Sequence, residues 1–351
     1  MTEAPAVSVV IPHFNGMAIL RDCLASLYGS TRLNLEVLLV DNASTDDSLA
    51  MVRREFPRVT ILSLTQNRGF AGGCNVGIRA ARAPLVLILN NDTIHQDGWL
   101  ELLVAKLQSR LEIAAVQPKI RSYQTRAAFD YSGAAGGEMD LFAYPFARGR
   151  IFEVLETDTG QYDPWPEQIF WASGTAFLAR REFLLAAGLF DETFFAHMEE
   201  IDLQWRLQLM GYEIVVEPRA VIWHRSGYTL GAEAPLKKYL NHRNSWLMFL
   251  TNYRPLLTLY LTPLRLGLDY LAVCFSLLRR DWGRAAGILR AQLWLVGHWP
   301  TILRRRRQVK ALRRCSDRQV SRRLFHGSVA LSFYLLKRRH CNDLFSNAAP
   351  N

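Results

Sequence analysis

The chain has 351 residues, of which 50% are hydrophobic and 21% charged. It is therefore too apolar for a disordered protein and long enough for one large domain, with or without an accessory region. Its five cysteines lie far apart and include no CxxC pair, so we expect neither a zinc site nor a disulfide framework, and a reducing compartment is favoured. No positively charged segment precedes the first apolar run in MTEAPAVSVV, so a secretory signal peptide is not predicted.

The net charge of +10 is divided unevenly along the chain. Residues 1–234 contain 20 Lys and Arg against 28 Asp and Glu, a net of −8, whereas residues 235–351 contain 22 against 4, a net of +18. Such asymmetry indicates two regions with different surroundings. We therefore predict one domain over 1–234 and a basic region over 235–351.

The first ninety residues alternate between the patterns of buried strands and of helices. Short apolar runs typical of strands buried on both faces occupy 7–12, 36–41, 59–64 and 85–90. Helical patterning fills the intervals at 18–28, 46–56 and 71–82. This alternation predicts βαβ units, and hence an α/β fold with a mostly parallel central sheet flanked by helices.

A polar cluster follows each of these four strands. The clusters are PHFN at 12–15, DN at 41–42, QNR at 66–68 and NND at 90–92. Asn and Asp are common in plain turns, but turns alone leave the convergence of four clusters on one edge unexplained. Because open sheets of this kind bind ligands beyond the carboxyl ends of their strands, we predict a ligand site there.

Asp41 and Asp92 stand at the ends of neighbouring strands. One such carboxylate can accept hydrogen bonds from a nucleobase or a ribose, and the other can hold a hard divalent cation together with diphosphate oxygens and water. The sequence has no GxGxxG and no GxxxxGK[ST] motif, so a metal would have to neutralise much of the phosphate charge. Arg68 offers a fork-shaped cation, whereas the glycines of NRGFAGGCNVG fit either ligand approach or tight packing.

The chain is less regular after the fourth strand. The pattern over residues 121–167 predicts hairpins and loops that line an acceptor site. It is followed by a predicted strand over 171–181 and a predicted helix over 198–212. EIVVEP and AVIWH then predict two further strands, the second of which ends on His224. On the predicted helix Glu199 and Asp202 share a face, while Glu200 points about 100° away. Acids at a helix start also suit the helix dipole, and a histidine at a strand end is often structural, so neither feature decides the function alone.

In order, these stretches resemble the family 2 glycosyltransferases of GT-A fold. The motifs are VVIPHFN, VDNASTDDS, NRGFAGGCNVG, LNNDT, WASGTAFLARR, HMEEIDLQWR and WHRSG, over roughly two thirds of the chain. The most similar subgroup looks like the bacterial rhamnosyltransferase-like enzymes that build lipopolysaccharide and other surface polysaccharides. The resemblance implies an inverting enzyme with a nucleotide-sugar donor, for which dTDP-rhamnose is the family-level expectation.

The resemblance also implies roles for single residues. Asp41 matches the aspartate that binds the base and ribose, Asp92 matches a ligand of Mn²⁺ or Mg²⁺, and His224 matches a histidine that completes the metal shell in some members. Asn90 replaces the first acid of the DxD signature. The expected donor-binding residues are Pro12, Asn15, Asp41, Asn67, Arg68 and Asn91.

The second acid of the EEID stretch, Glu200, matches the family's general base, with Glu199 and Asp202 as alternatives. One base suffices when an acceptor hydroxyl attacks the anomeric carbon opposite the departing nucleoside diphosphate, whose charge the metal stabilises. Trp165 and Trp171 are predicted either to stack on the acceptor sugar or to belong to the core.

The basic region mixes Leu, Trp and Tyr with regularly placed Arg. Its longest stretches free of Lys, Arg, Asp and Glu, 291–303 and 324–336, have 13 residues each, fewer than the roughly 20 of a spanning helix. We therefore predict amphipathic helices in an anionic membrane interface, with Trp294 and Trp299 at its boundary. This fits a lipid-linked saccharide acceptor on the cytoplasmic face of the bacterial inner membrane, with the enzyme bound peripherally. Nucleic-acid binding is not predicted, because so much exposed Leu and Trp is unfavourable in water, but a helical subdomain or a dimerisation surface remains an alternative.

A rival interpretation is a noncatalytic sugar-nucleotide-binding or scaffold protein with a degenerate site, suggested by Asn90 in place of an acid. A nucleotidyltransferase is disfavoured because no glycine-rich phosphate loop is followed by a basic activating residue. Donor turnover distinguishes the enzyme from the scaffold.

Overall fold

The computed structural model describes residues 4–225 and 235–345. The strands in these ranges are β1 (Val7–His13), β2 (Leu35–Asp41), β3 (Thr60–Ser63), β4 (Leu85–Leu89), β5 (Thr93–His95), β6 (Ile113–Ser122), β7 (Gly137–Met139), β8 (Pro145–Ala147), β9 (Arg150–Ile151), β10 (Val154–Leu155), β11 (Gln168–Ile169), β12 (Ala176–Arg180) and β13 (Glu213–His224). The helices are α1 (Met17–Gly29), α2 (Ser48–Glu55), α3 (Gly69–Ala80), α4 (Trp99–Gln108), α5 (Arg181–Ala186), α6 (Glu199–Leu209), α7 (Pro235–Asn252), α8 (Pro255–Leu278), α9 (Trp282–Gly297), α10 (Trp299–Leu312), α11 (Asp317–Ser321), α12 (Val329–Tyr334) and α13 (Cys341–Phe345), with a 3₁₀ turn at Glu192–Phe194.

The main sheet has the order β11-β13-β6-β12-β4-β1-β2-β3, with β5 paired to β13. The α/β fold predicted from the alternating pattern is confirmed, and β3, β2, β1 and β4 are mutually parallel. β12 runs antiparallel between β4 and β6, while β6 and β13 are parallel, so the complete sheet is mixed. The parallel strands bring the polar clusters to one edge.

Apolar cores cover both faces of the sheet, as expected for strands that are apolar throughout. One face is covered by α3, where Gly77 lies directly over β1. A Cβ added at Gly77 would lie 2.3 Å from Cγ1 of Val10. At this position the glycine of NRGFAGGCNVG therefore serves close packing of helix on sheet.

A second sheet, β10-β9-β8-β7, confirms the hairpins predicted after residue 121. The strand predicted over 171–181 is shorter, Ala176–Arg180. EIVVEP and AVIWH, predicted as two strands, form the single strand β13, whose register with β6 is irregular between Glu217 and Val221. That irregularity lets Pro218 sit within an otherwise continuous strand.

The basic region packs on the second sheet and on α6 in one shared core. Arg305 of α10 forms ion pairs with Asp191 and Asp202, and Asp140 accepts a hydrogen bond from the backbone of Val329 at 2.9 Å. Part of the basic excess therefore joins the two regions. The predicted boundary at residue 234 lies outside the described residues.

The expectation that no helix of the basic region is long and apolar enough to cross a membrane is wrong. Among the described residues α8 meets both criteria, with 24 residues and only Arg265 and Asp269 charged. The search for stretches without any charge missed α8 because it contains these two charged residues. Their side chains are fully buried against the protein and lie 3.5 Å apart. The opposite face of α8 is exposed, with Leu256 at 83% and Leu278 at 84%.

Candidate functional site

The ends of β1 and β2 form the first part of the candidate site. Their parallel register sets His13 beside Asp41, and Asp41 is buried while accepting a hydrogen bond from the backbone N–H of Ser44 at 3.0 Å. The two following loops are tied together, since the N–H of Asn15 donates to Ser44 Oγ at 3.0 Å and Asn15 Oδ1 accepts from Thr45 at 2.8 Å. The sequence therefore brings Asn15 and Asp41 to one rim.

The start of α3 continues this rim. A Cβ added at Gly73 would lie 3.2 Å from Cβ of Pro12, so the helix approaches the end of β1 closely. Asn67 caps the turn, its Oδ1 accepting from the N–H of Gly69 at 2.8 Å. The guanidinium of Arg68 forms an ion pair with Glu192 at 2.7 Å. Arg68 thus contacts the segment that precedes α6 as well as lying at the rim.

The LNNDT stretch connects to both neighbours of β4. The amide of Asn91 lies 2.7 Å from Nδ1 of His13, on β1. The backbone N–H of Asn90 donates to the carbonyl of Thr175, just before β12, at 2.8 Å. The backbone of Asn90 is therefore hydrogen-bonded to the residue that precedes β12, while the side chain of Asn91 contacts the end of β1.

Asp92 and His224 lie together, because β5 pairs with the last residues of β13. Oδ1 of Asp92 is 3.1 Å from Nε2 of His224, and both residues are buried. Two ligands about 2.1 Å from one octahedral cation, at a right angle, are about 3 Å apart. The pair therefore has the spacing of two ligands in one metal shell.

Asp130 was missed by the sequence reasoning. Its carboxylate lies 2.9 Å from Nδ1 of His224, which is how a carboxylate orients a metal-ligating histidine from behind. Although burial disfavours the charged ring, the carboxylates of Asp92 and Asp130 raise the pKa of His224 to about 10. Asp130 follows β6 in the irregular FDYSG stretch, where no sequence signal links it to a histidine 94 residues later.

No group of three or more His, Cys, Asp or Glu side chains within 4–225 and 235–345 is arranged to hold a cation. Two protein ligands are nevertheless compatible with Mg²⁺ or Mn²⁺, because hard cations at phosphate-transfer sites take several ligands from substrate oxygens and water. Asp92 and His224 thus fit a cation that is completed by a diphosphate.

Glu199 and Glu200 begin α6. Burial, strengthened by the neighbouring charge of Glu200, raises the pKa of Glu199 well above its usual range. Burial likewise raises the pKa of Glu200, against hydrogen bonds from backbone groups that include Gly174. Each carboxyl has a buried Oε2 without a hydrogen-bond partner among the described residues. A desolvated carboxylate with a free oxygen is well suited to accept a proton.

Asp202, an alternative base, has a different environment. It is 0% exposed, and its oxygens contact Arg206 at 2.9 Å and Arg305 at 2.9 Å. Asn252 donates to the same carboxylate at 3.1 Å. These partners occupy Asp202 in joining α6 to α7 and α10, so its position favours a structural role.

The short segment Gly174–Thr175 links the acids of α6 to LNNDT. A Cβ added at Gly174 would lie 3.8 Å from Cβ of Glu200, and the next residue, Thr175, accepts the hydrogen bond from Asn90. Glu200 and the Asn90–Asp92 stretch therefore approach consecutive residues of the chain. The segment Gly174–Thr175 therefore connects the start of α6 with the end of β4.

The two tryptophans proposed for acceptor stacking differ. Trp171 is buried, and its indole N–H donates to the carbonyl of Glu138 at 2.8 Å. It therefore belongs to the core. Trp165 is half-buried against Tyr162 and lines a groove of about 450 Å³ with Asp163 and Lys106.

The sequence model of the Glycosyl transferase family 2 matches residues 8–185. The N-acetylglucosaminyl-diphospho-decaprenol L-rhamnosyltransferase of Mycobacterium tuberculosis is 27% identical over 243 residues, 65% of this chain and 78% of that protein. The O-antigen biosynthesis protein RfbC of Myxococcus xanthus is 27% identical over 72% of this chain, which spans only 19% of that protein.

Solved structures share the fold at low sequence identity. The crystal structure of GalNAc-T7 with UDP, GalNAc and Mn²⁺ superposes with a TM-score of 0.54 at 16% identity, covering 72% of this chain and 48% of that one. The mannosyltransferase PcManGT of Pyrobaculum calidifontis, in complex with GDP-Man and Mn²⁺, gives 0.50 at 18% identity over 88% and 87%. The fold is therefore GT-A, and the chain belongs to glycosyltransferase family 2, a family of enzymes that transfer sugars.

Proposed function

We propose that the chain is an inverting, metal-dependent transferase that moves a sugar, L-rhamnose being the first candidate, from a nucleotide donor to a lipid-linked saccharide. The observation that carries the proposal is the approach of Glu200 and the Asn90–Asp92 stretch to the adjacent residues Gly174 and Thr175. This approach supports a site in which Glu200 would accept the proton and Asp92 would bind the metal.

The donor half of the cleft would bind the nucleotide. Asp41, at the end of β2, is assigned to the ribose and base, with Pro12, Asn15, Asn67, Arg68 and Asn91 around it. Asp92 and His224 would hold Mn²⁺ or Mg²⁺, which supplies positive charge to the leaving diphosphate. Asp130 would fix the imidazole of His224 so that Nε2 faces the cation.

The acceptor half would carry out the proton transfer. The carboxylate of Glu200 takes the proton from the acceptor hydroxyl as that oxygen forms its bond to the anomeric carbon. On the opposite face the bond from the anomeric carbon to the diphosphate oxygen breaks, and the nucleoside diphosphate leaves with the bonding electrons. A single displacement of this kind inverts the anomeric configuration.

The lipid-linked acceptor is supported by the mycobacterial relative, whose name specifies a diphospho-decaprenol substrate, and by the surface of the basic region. Large apolar side chains are exposed along three of its helices. They include Leu256, Leu259, Tyr260, Leu271 and Leu278 on α8, Leu293 and Val296 on α9, and Trp299 on α10. Apolar exposure of this extent beside many exposed arginines suits an anionic membrane surface.

A donor screen followed by product analysis tests the proposal. A nucleotide sugar that binds only the folded chain raises its melting temperature, and we expect such a rise to need Mn²⁺ or Mg²⁺. With that donor and a polyprenyl-diphosphate saccharide, NMR should identify a product of inverted anomeric configuration. Nucleotide-sugar binding without turnover on any acceptor would instead favour the noncatalytic scaffold, and a retained configuration would contradict the single displacement.

A further inference from the structure

The segment 194–198, which leads into the acids of α6, has an unusual backbone. Phe195 has φ 62° and ψ −59°, and the N–H of Ala196 donates to the carbonyl of Phe194 at 2.7 Å, which together define the rare and strained form of γ-turn. His197 and Met198 also have positive φ, 67° and 69°. Non-glycine residues in such conformations persist only where their surroundings impose them.

The surroundings that impose this backbone come from α7, in the basic region. The side-chain amide of Asn244 lies 3.2 Å from the carbonyl oxygen of Phe194, 2.9 Å from that of Ala196 and 2.7 Å from that of His197. Asn244 is 0% exposed. The buried amide of Asn244 therefore donates hydrogen bonds to three carbonyls within the four residues 194–197.

The orientation of this amide is fixed by the residue before it. Nε of Arg243 donates to Oδ1 of Asn244 at 2.8 Å, so that the amide nitrogen must face the segment. The same guanidinium donates to the carbonyls of Thr193 and Phe194, each at 2.9 Å. Arg243 and Asn244 thus satisfy the carbonyls that the strained turn removes from regular pairing.

On its other side the segment contacts the start of α3. A Cβ added at Gly69, where φ is +70°, would lie 2.4 Å from the carbonyl oxygen of Phe195. Because Phe195 has positive φ, this carbonyl turns towards Gly69, and only a residue without a side chain fits there. The segment is therefore held between α7 and the start of α3, and Glu199 and Glu200 follow directly after it.

We infer that Asn244 is a positioning residue for the general base, so that the basic region completes the catalytic site as well as approaching the membrane. Asn244 acts through the segment 194–198, whose conformation sets where α6 begins and hence where the carboxylate of Glu200 lies. This inference rests on the proposed function. It places a determinant of the reaction beyond residues 8–185, which match the family model.

The test compares two variants with a matched control on the same helix. Asn244→Ala removes the amide, and Asn244→Asp places a carboxylate oxygen against the three carbonyls. Ser245→Ala removes an equally buried polar group, whose hydroxyl donates to Ala143 rather than to the segment. We expect both Asn244 variants to lose about 100-fold in kcat, because misplacement of a reacting group by about 1 Å has this effect. In the Asn244 variants the donor KM should stay within about threefold, and the acid limb of the pH profile should shift. In Ser245→Ala, kcat and the pH profile should both stay unchanged.

Hydrogen–deuterium exchange of the full chain supplies a readout that does not depend on turnover. Backbone amides of residues 194–200 should exchange at least tenfold faster in Asn244→Ala than in the unmodified chain or in Ser245→Ala. Unchanged exchange, or kcat within threefold of the unmodified enzyme, would overturn the inference, as would equal losses in Ser245→Ala. If the unmodified chain transfers no sugar, the proposed function fails, and with it the assignment of Asn244 to a base, whatever the exchange result.

Discussion

Glu200 and Asp202 are two residues apart on α6, yet their surroundings give their carboxylates different tasks. Asp202 is neutralised by Arg206 and Arg305, whereas Glu200 has no ion pair among the described residues and keeps an unpartnered oxygen in a desolvated position. A buried carboxylate without a cation is a stronger base than an ion-paired one, since burial disfavours its charged form. The environment of each acid, more than its type, therefore separates the candidate base from the structural acid.

This difference predicts the effect of Glu200→Gln. The amide keeps the shape but accepts no proton, so kcat should fall by about 10²–10⁴-fold, with little change in donor binding. As the proposed base, Glu200 would act in its deprotonated form, so activity should be lost as pH falls, with the inflection above the ordinary glutamate pKa of about 4.3 because burial raises the pKa of Glu200. Steady-state kinetics over pH measure both effects. Glu182→Gln, at an exposed position of α5, is the control, and a Glu200→Gln variant as active as this control would exclude Glu200 as base.

Asp130→Asn tests the support of His224. The substitution keeps the size of the side chain but removes the charge behind the imidazole, and loss of such outer partners weakens metal binding by about 10–100-fold. Titration of Mn²⁺ in the presence of nucleoside diphosphate, followed by electron paramagnetic resonance, measures the affinity. The exposed Asp97→Asn serves as control. Equal Mn²⁺ affinity in the two variants would remove Asp130 from the site.

The sequence could suggest candidate site residues that lie at strand ends or within a familiar motif, such as Asp41, Asp92 and Glu200. It could not suggest Asp130 or Asn244, because each would act through a partner that is distant in the chain and is set beside it only by the fold. Periodicity reports which face of an element is apolar, but carries no information on which distant polar groups will meet.

At the scale of elements, the predicted strands and helices of the first ninety residues agree with the structure to within a few residues. The pairing of later strands was beyond such reasoning. The stretch of β12 is apolar and fully buried but for its last residue, and this pattern fits a parallel or an antiparallel neighbour equally well. Its insertion between β4 and β6 is nevertheless what brings Gly174 and Thr175 to the site.

Substitution by alanine should have opposite effects on stability at two helical glycines, Gly77 and Gly267. Gly77→Ala places a methyl group 2.3 Å from Val10, and overpacking costs about 1–3 kcal/mol, against a gain in helix propensity of about 1 kcal/mol. We expect net destabilisation of about 1 kcal/mol. Gly267→Ala in α8 meets nothing within 4 Å, so only the propensity gain of about 1 kcal/mol remains. Urea unfolding measures the difference, and a Gly77→Ala variant at least as stable as the unmodified chain would contradict the packing role.

For the whole molecule, the charge of the basic region has two uses. Arg243, Arg265 and Arg305 are buried and bind carbonyls or carboxylates inside the shared core. Other arginines remain exposed beside the apolar face of α8, α9 and α10. Composition alone could reveal the excess of positive charge, but could not divide it between internal ion pairs and a surface.

The exposed face of α8 predicts binding to anionic vesicles. Burial of a leucine side chain contributes about 1.5–3 kcal/mol, so replacing both Leu256 and Leu259 by Glu should weaken vesicle binding by at least about 100-fold in a sedimentation assay. Leu111→Glu is the matched control, since Leu111 is 77% exposed but lies outside the basic region. Undiminished binding by the double variant would exclude this face as the membrane contact. A dimer that the double substitution dissociates would instead identify a dimerisation surface.

Hydrolysis of a labelled nucleotide sugar in the presence and absence of Mn²⁺ tests the central claim most directly, because it follows the bond to the diphosphate that Asp92 and a cation would activate. Unmodified chain, Asp92→Ala and the exposed control Asp97→Ala should be compared at equal concentration. We predict slow, Mn²⁺-dependent release of nucleoside diphosphate by the unmodified chain and by Asp97→Ala, with a loss of at least about 100-fold in Asp92→Ala. Hydrolysis that persists in Asp92→Ala, or that proceeds equally well without any divalent cation, would contradict the account.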